Sequence, residues 1–316
     1  MQGTARNTRK PKLSNQPSVF KRYAANKYYF IMLLPVLIYY LIFHYGPMYG
    51  VIIAFQDYKF LRGVSGSEWV GLDNFRELFA GSYFLTVLRN TLIINFYKLV
   101  FGFPVPIILA LMLNEVMRPV FKKVVQTISY MPHFLSWIVL SGLIIEFLSP
   151  SRGPINILLD MMGIAPVYFI TDERWFRFIL VVSDIWRSAG FTTIIYLAAI
   201  AGINTEMYEA AEMDGISRFK KIIYITLPSM APVIVIMLIL NAGSIINDDF
   251  EQIYNLLNVT VMNVGDVLST YTYTEGLTRM NYSYAAAVGL FKNVIALILV
   301  LTANYFARKF SDEAIF

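Results

Sequence analysis

The chain has 316 residues, of which 57% are hydrophobic, 16% aromatic and only 15% charged, and its mean hydropathy is +0.56. Ordinary soluble domains do not reach this balance, so the expected solvent is a bilayer. With no cysteine in the chain, disulfide frameworks and thiolate metal sites are excluded. The net charge of +5 would suit a nucleic-acid binder, but the basic residues fall between apolar runs, where they report topology instead.

The first 27 positions carry Arg6, Arg9, Lys10, Lys12, Lys21, Arg22 and Lys27 without an acid. They read as a flexible basic tail on the cytoplasmic side. Residues 28–316 then form one membrane domain. Six apolar segments are each long enough for the roughly 20 residues that a spanning helix needs: 28–50, 84–113, 124–148, 176–203, 228–246 and 284–306. The expected fold is an all-α polytopic membrane protein of six spans. The first span is too long for a signal-peptide core and lacks a small-residue cleavage site, so it is expected to be retained.

Positions 46–82, with Gly46, Pro47, Gly50, Gly63, Gly66 and Gly71, read as an external excursion of turns and short helix. Positions 149–169 read as a second external loop with a short interfacial helix. Pro104 and Pro106 are expected to kink the second span. Six crossings return the C-terminus, with Arg308 and Lys309, to the cytoplasmic side. Arg118, Lys122 and Lys123 fall on that side too, as does the connector 204–228.

That connector is polar and helix-forming between two apolar runs. Asn204 is placed to cap a helix, Glu206 and Glu209 lie in early turns favoured by the dipole, and Gly215 suits the left-handed residue that closes one. The spacing predicts a helix over 205–214, flanked by Met207 and Asp214. Ala210 and Ala211 would let another surface approach the backbone closely. A second short helix is expected over 217–226, with Leu227 and Pro228 opening the next span. On spacing alone, a plain surface hairpin fits equally well.

Glu209-Ala210-Ala211, three residues, Gly215, nine residues, then Ile225-Thr226-Leu227-Pro228 resembles the EAA loop of permease subunits of binding-protein-dependent ABC importers. "FHYGPMYGVIIAFQDY" (43–58), "YMPHFLSW" (130–137), "SDIWRSAGFTTIIYLAAIAGI" (183–203) and "FEQIYN" (250–255) resemble its carbohydrate-uptake branch, particularly the members that handle complex oligosaccharides. The resemblance implies that this loop docks in a groove of a cytoplasmic ATPase dimer, with Glu209, Ala210, Ala211, Asp214, Gly215, Leu227 and Pro228 in the coupling region. It also implies a second permease subunit, expected to be a different chain, and an external solute-binding protein. No stretch of the sequence resembles a nucleotide-binding loop. ATP and magnesium therefore belong to the partner, and this chain is expected not to be an enzyme.

Polar residues inside the spans are the guide to what passes through. Asp184, Arg187, Ser188 and Phe191 share one helical face, and Asn241, Ser244 and Asp248 share another. Either Asp184 and Arg187 pair with each other for packing, or both faces line a sugar pathway. The resemblance favours the pathway, because sugar sites in relatives lie between these two spans. A guanidinium neutralised by Asp184 would suit a neutral or mixed oligosaccharide, whereas a free one would suit a uronate. Lys98, Glu146 and Lys292 either pair or line the route. His44 and His133 suit loop or packing roles better than metal ligation, and Asp249 reads as part of a solvated external loop. An ion-coupled secondary transporter is the alternative, and it would not need the EAA loop.

Overall fold

A computed structural model describes residues 26–243 and 245–310 of the chain. Nearly all of the expected basic tail lies outside the described residues, and Ser244 does too. The chain separates into two compact units, the first ending at Ile52 and the second beginning at Ile53.

Helix α1 (Lys27–Phe55) is long and apolar enough to span a bilayer. It continues as helix through the stretch that its glycines suggested would be turns. Its π turn, Leu41–Tyr45, stands two residues before Pro47. His44 lies on Tyr40, with ring centroids 4.8 Å apart.

The second unit opens with a small antiparallel hairpin, β1 (Gln56–Asp57) and β2 (Glu68–Trp69). Asn74, on α2 (Asp73–Ala80), donates to the carbonyls of Ala54 and Gln56 at 2.9 and 3.1 Å. The Tyr58 amide donates to Ser283 Oγ at 2.8 Å, which anchors this excursion to the start of the last span.

Helix α3 (Ser82–Glu115) is the second span. It widens into a π turn at Lys98–Gly102, again two residues before a proline, Pro104. A proline ring clashes with the carbonyl four residues back and offers no N–H to it, and a wider turn relieves both problems. The third apolar segment is not the single helix expected. It is α4 (Pro119–Phe134) and α5 (Trp137–Phe147), bent by 105°. Pro132 tightens the end of α4 into a 3-10 turn, and the Ser136 hydroxyl then caps α5 by accepting from the Val139 amide. Helix α6 (Pro154–Met161) is the short helix of the second loop. Buried Asn156 organises that loop by donating to Leu148, Ser149 and Val167 carbonyls and accepting from the Val167 amide at 2.7 Å.

Helix α7 (Glu173–Ala201) is the central element, packed against α3 and α4. The close approach to α4 requires glycine at 190, since a Cβ there would lie 2.1 Å from the Ser129 carbonyl oxygen. The connector helix α8 (Thr205–Met213) leads into α9 (Arg218–Ala242). The second short connector helix expected over 217–226 is the first part of α9 itself. Its π turn, Ile222–Thr226, precedes Pro228 by the same two residues, so Leu227 and Pro228 lie within the span, not at its opening.

Residues after α9 fold inward as α10 (Phe250–Leu256), short turns over 259–265, and α11 (Leu268–Tyr273), before the last span, α12 (Tyr282–Phe310). Ile253, Leu256, Val261 and Val267 pack on Ile94, Phe176 and Leu180, while Leu268 and Tyr271 join Phe84, Tyr284 and Val288. This connector is therefore part of the core. A third cluster, Ala110, Tyr196, Ile200 and Met230, ties α3, α7 and α9 together at the connector end.

Candidate functional site

A cavity of ≈ 210 Å³ opens between α3, α7 and the end of α9. Helix α7 presents Asp184, Ser188, Thr192 and Tyr196 to it, a ridge at four-residue spacing on one helix face. Helix α3 contributes Asn95 and Lys98; Asn241, Asn247 and Asp249 complete its polar lining. Of the expected pathway residues, Asp184, Ser188 and Asn241 line this cavity, whereas Arg187, Phe191 and Asp248 do not. Ser244 lies outside the described residues.

Asp184 does not pair with Arg187. Its carboxylate is 3.5 Å from the Lys98 ammonium, which also donates to the Gln252 side-chain oxygen. Gln252, fully buried, donates in turn to the Leu180 carbonyl at 2.7 Å and Ser183 Oγ at 2.9 Å. Lys98 thus links α3, α7 and α10.

Arg187 sits on the neighbouring ridge. Its guanidinium lies over the Trp137 ring, 4.8 Å from the centroid, and 3.9 Å from Asp249. The Trp137 indole N–H donates to the same carboxylate at 2.5 Å. Asp249 also caps α10 by accepting from the Gln252 amide, so it belongs to the site and not to a solvated loop. Arg187 Nε is buried without a hydrogen-bond partner among the described residues. Phe191 stacks on His133, with centroids 4.0 Å apart and rings within 1° of parallel. That contact gives His133 a packing role at the bend between α4 and α5.

Asn95 is the residue that sequence reading missed. It is 7% exposed and lines the cavity, yet its amide nitrogen has no hydrogen-bond partner among the described residues. A buried donor without a partner is a costly arrangement, and here it belongs to a residue at the wall of an open volume. The signal was present as an amide and an ammonium three residues apart in an apolar run, Asn95 and Lys98.

Glu146 and Lys292, the other two charges singled out in the sequence, both pair. Glu146 accepts from Arg152 at 2.7 Å, and Lys292 meets Asp248 at 2.9 Å.

The loop between α7 and α9 has the expected local geometry. Asn204 caps α8 by accepting from the Glu206 amide at 3.0 Å, and Gly215 adopts φ 68°. The Ile216 amide returns to the Ala211 carbonyl at 2.9 Å, closing the helix. Glu209, Ala210, Asp214 and Gly215 are exposed. Ala211 is 4% exposed, so it packs inward and cannot offer the open contact surface expected of it. Two contacts fasten α8 to α9: Tyr208 and Thr226 share a hydrogen bond at 2.9 Å, and the Lys221 ammonium donates to Glu212 at 2.6 Å. The latter contact holds the Glu212 carboxyl below the usual carboxylate range.

Residues 102–312 match the family described as "Binding-protein-dependent transport system inner membrane component". The polygalacturonan/rhamnogalacturonan transport system permease protein YteP of Bacillus subtilis (strain 168) is 47% identical over 290 residues, 92% of this chain and 90% of that protein. Protein LplB of the same organism is 44% identical over 291 residues, 92% of each chain. A chain in the crystal structure of a bacterial alginate ABC transporter, in complex with an alginate pentasaccharide-bound periplasmic protein, superposes with a TM-score of 0.87 at 42% identity. The match covers 94% of this chain and 99% of that one. These likenesses leave no place for the ion-coupled alternative. The chain belongs to the binding-protein-dependent transport system inner membrane components and is the membrane-spanning permease subunit of an ABC importer.

Proposed function

We propose that this permease carries an oligosaccharide containing uronate residues, using the cavity between α3, α7 and α9 as part of its route. The observation that carries the reading is Asn95, which lines the cavity and whose buried amide nitrogen has no hydrogen-bond partner among the described residues. It is a donor held ready for a hydroxyl or carboxylate oxygen. Lys98, Asp184 and Asp249 lie beside it, and such a mixture of donors and acceptors suits a sugar's hydroxyl groups. The neutral or mixed substrate rests on a pairing of Arg187 with Asp184; Arg187 instead lies 3.9 Å from Asp249 and outside the cavity lining, so it does not decide the substrate class. Polygalacturonan and rhamnogalacturonan, named for the 47% identical relative, both contain galacturonate units. A related solved transporter imports alginate, described as an acidic polysaccharide.

In this reading the basic tail and the loop carrying α8 face the cytoplasm. An ATPase dimer, which binds ATP and magnesium, docks on the exposed face of α8 around Glu209, Ala210 and Asp214. A second permease, a different chain, completes the pathway, and a solute-binding protein delivers the sugar from outside. The fastening of α8 to α9 through Glu212–Lys221 and Tyr208–Thr226 makes the pair a stiff lever, so motion of the docked surface reaches the span that borders the cavity.

The test is reconstitution of the complex in vesicles with its ATPase and binding protein. Oligogalacturonate should stimulate ATP hydrolysis and enter the vesicles, and Asn95→Leu should reduce uptake about tenfold with the chain still inserted. Uptake of neutral oligosaccharides in preference to acidic ones would overturn the substrate class.

A further inference from the structure

Beside the central cavity lies a groove of ≈ 630 Å³ between α10, α11 and α12. Asn247, an exposed side chain, lines both, so the two volumes meet at that residue. Phe250, Tyr273 and Tyr282 supply aromatic surface to the groove. The ring of Phe250 is held against Tyr273 at 5.2 Å and against Tyr254 at 5.0 Å, and Tyr254 and Tyr273 stand 5.1 Å apart. The rings are therefore fixed before anything binds. Among the described residues, Lys292 is the one charged residue in the lining.

The charge is deliberately one-sided. Asp248, the partner of Lys292, has a side chain with 0% exposure, while that of Lys292 retains 18%. Asp248 is also satisfied from behind, accepting from the Ser269 amide at 3.1 Å and its hydroxyl at 2.8 Å. An ammonium has three donors, and the only hydrogen bond Lys292 makes among the described residues is to Asp248, at 2.9 Å. A ligand in the groove meets the cation with N–H donors to spare and never the anion. Gly289 leaves the floor open, with nothing within 4 Å of where a Cβ would stand.

We propose that this groove is a second sugar subsite, in which Lys292 receives the carboxylate of a uronate unit while Phe250 and Tyr273 take the face of its ring. The proposal rests on the reading of this permease as a uronate-oligosaccharide carrier. It adds which residue selects the acid, and it gives a reason for transporting a chain longer than the cavity of ≈ 210 Å³ could hold.

The experiment uses the full complex in vesicles, with its binding protein, and compares tetragalacturonate, its carboxyl-reduced neutral counterpart and digalacturonate. Lys292→Gln should cut the preference for tetragalacturonate over the reduced tetrasaccharide about tenfold, as expected for one charge-assisted hydrogen bond. Lys292→Arg should retain most of that preference. Gly289→Leu fills the groove while keeping both members of the ion pair, and should raise the apparent KM for both tetrasaccharides while leaving that for digalacturonate unchanged. An equal loss for acidic and neutral substrates in Lys292→Gln, or unchanged tetrasaccharide transport in Gly289→Leu, overturns the subsite. A wild-type complex without preference for the acidic tetrasaccharide overturns the substrate reading itself, and with it this proposal.

Discussion

Asp184 on α7 is paired with Lys98 on α3, at 3.5 Å across the cavity wall, and not with Arg187 one turn away on its own helix. The side chains are 11% and 27% exposed for Lys98 and Asp184, so each charge depends on the other. Lys98→Met should lower stability by about 3 kcal/mol, because it strands a carboxylate in a partly dry site. The double variant Lys98→Met, Asp184→Leu should recover most of that loss. Thermal unfolding of the detergent-solubilised complex measures both, and additive losses would show that the two residues do not interact.

Gly215 adopts φ 68°, where proline cannot follow and other residues are strained. Gly215→Pro should redirect the start of α9 and abolish substrate-stimulated ATP hydrolysis and uptake with the chain still present in the membrane. Glu209→Lys should do the same by reversing the charge of the exposed surface proposed for docking. Normal stimulation in both variants would remove the loop from the coupling mechanism.

The cysteine-free sequence makes orientation testable by single thiols. A cysteine at Ser217 should react with an impermeant reagent from the cytoplasmic side only, and one at Ser151 from the outside only. The opposite pattern would invert the proposed topology.

Asp266 lies between α10 and α11 at 4% exposure. Burial raises its carboxyl above the usual range; hydrogen bonds from Thr270, Tyr83 and Val267 oppose the rise, and Asp248 adds to it. An acid whose folded value is raised contributes stability below its unfolded value and loses it as pH rises through the folded one. Wild-type stability should therefore decline from about pH 4 upward by an amount that Asp266→Asn eliminates. Asp266→Ala should cost about 2 kcal/mol near pH 4, since it removes the acceptor of the Tyr83 and Thr270 hydroxyls, and the cost should shrink as pH rises and the wild type loses its own stability. Thermal melts across pH test both, and identical pH profiles for wild type and Asp266→Asn would refute the assignment.

What the sequence made legible was local. Apolar run length located five uninterrupted spans, and a cap at Asn204 and a left-handed Gly215 delimited α8 because each acts on its own backbone. The bend at Pro132 was hidden because hydropathy continues across it unchanged from α4 into α5. The cavity was half legible. Helical periodicity identified the face of α7 but admitted two neighbouring ridges, and only packing against Trp137 and His133 decides that Arg187 and Phe191 belong to the outer one. Pairings between different elements, such as Lys98 with Asp184 or Trp137 with Asp249, carry no sequence spacing at all.

The bend between α4 and α5 also shapes the surrounding lipid. Eleven residues of α5 rise about 16 Å, against a hydrocarbon core of roughly 30 Å, and α4 leaves at 105°, adding little height. Its packing neighbour α10 is shorter still, at seven residues. Neither α5 nor α10 beside it is therefore longer than about half the thickness of the hydrocarbon core. Acyl chains beside this flank must compress, or another protein surface must cover the remainder. If lipid covers this flank, uptake should run faster in short-chain lipids than in long-chain ones; if the second permease covers it, uptake should be indifferent to bilayer thickness.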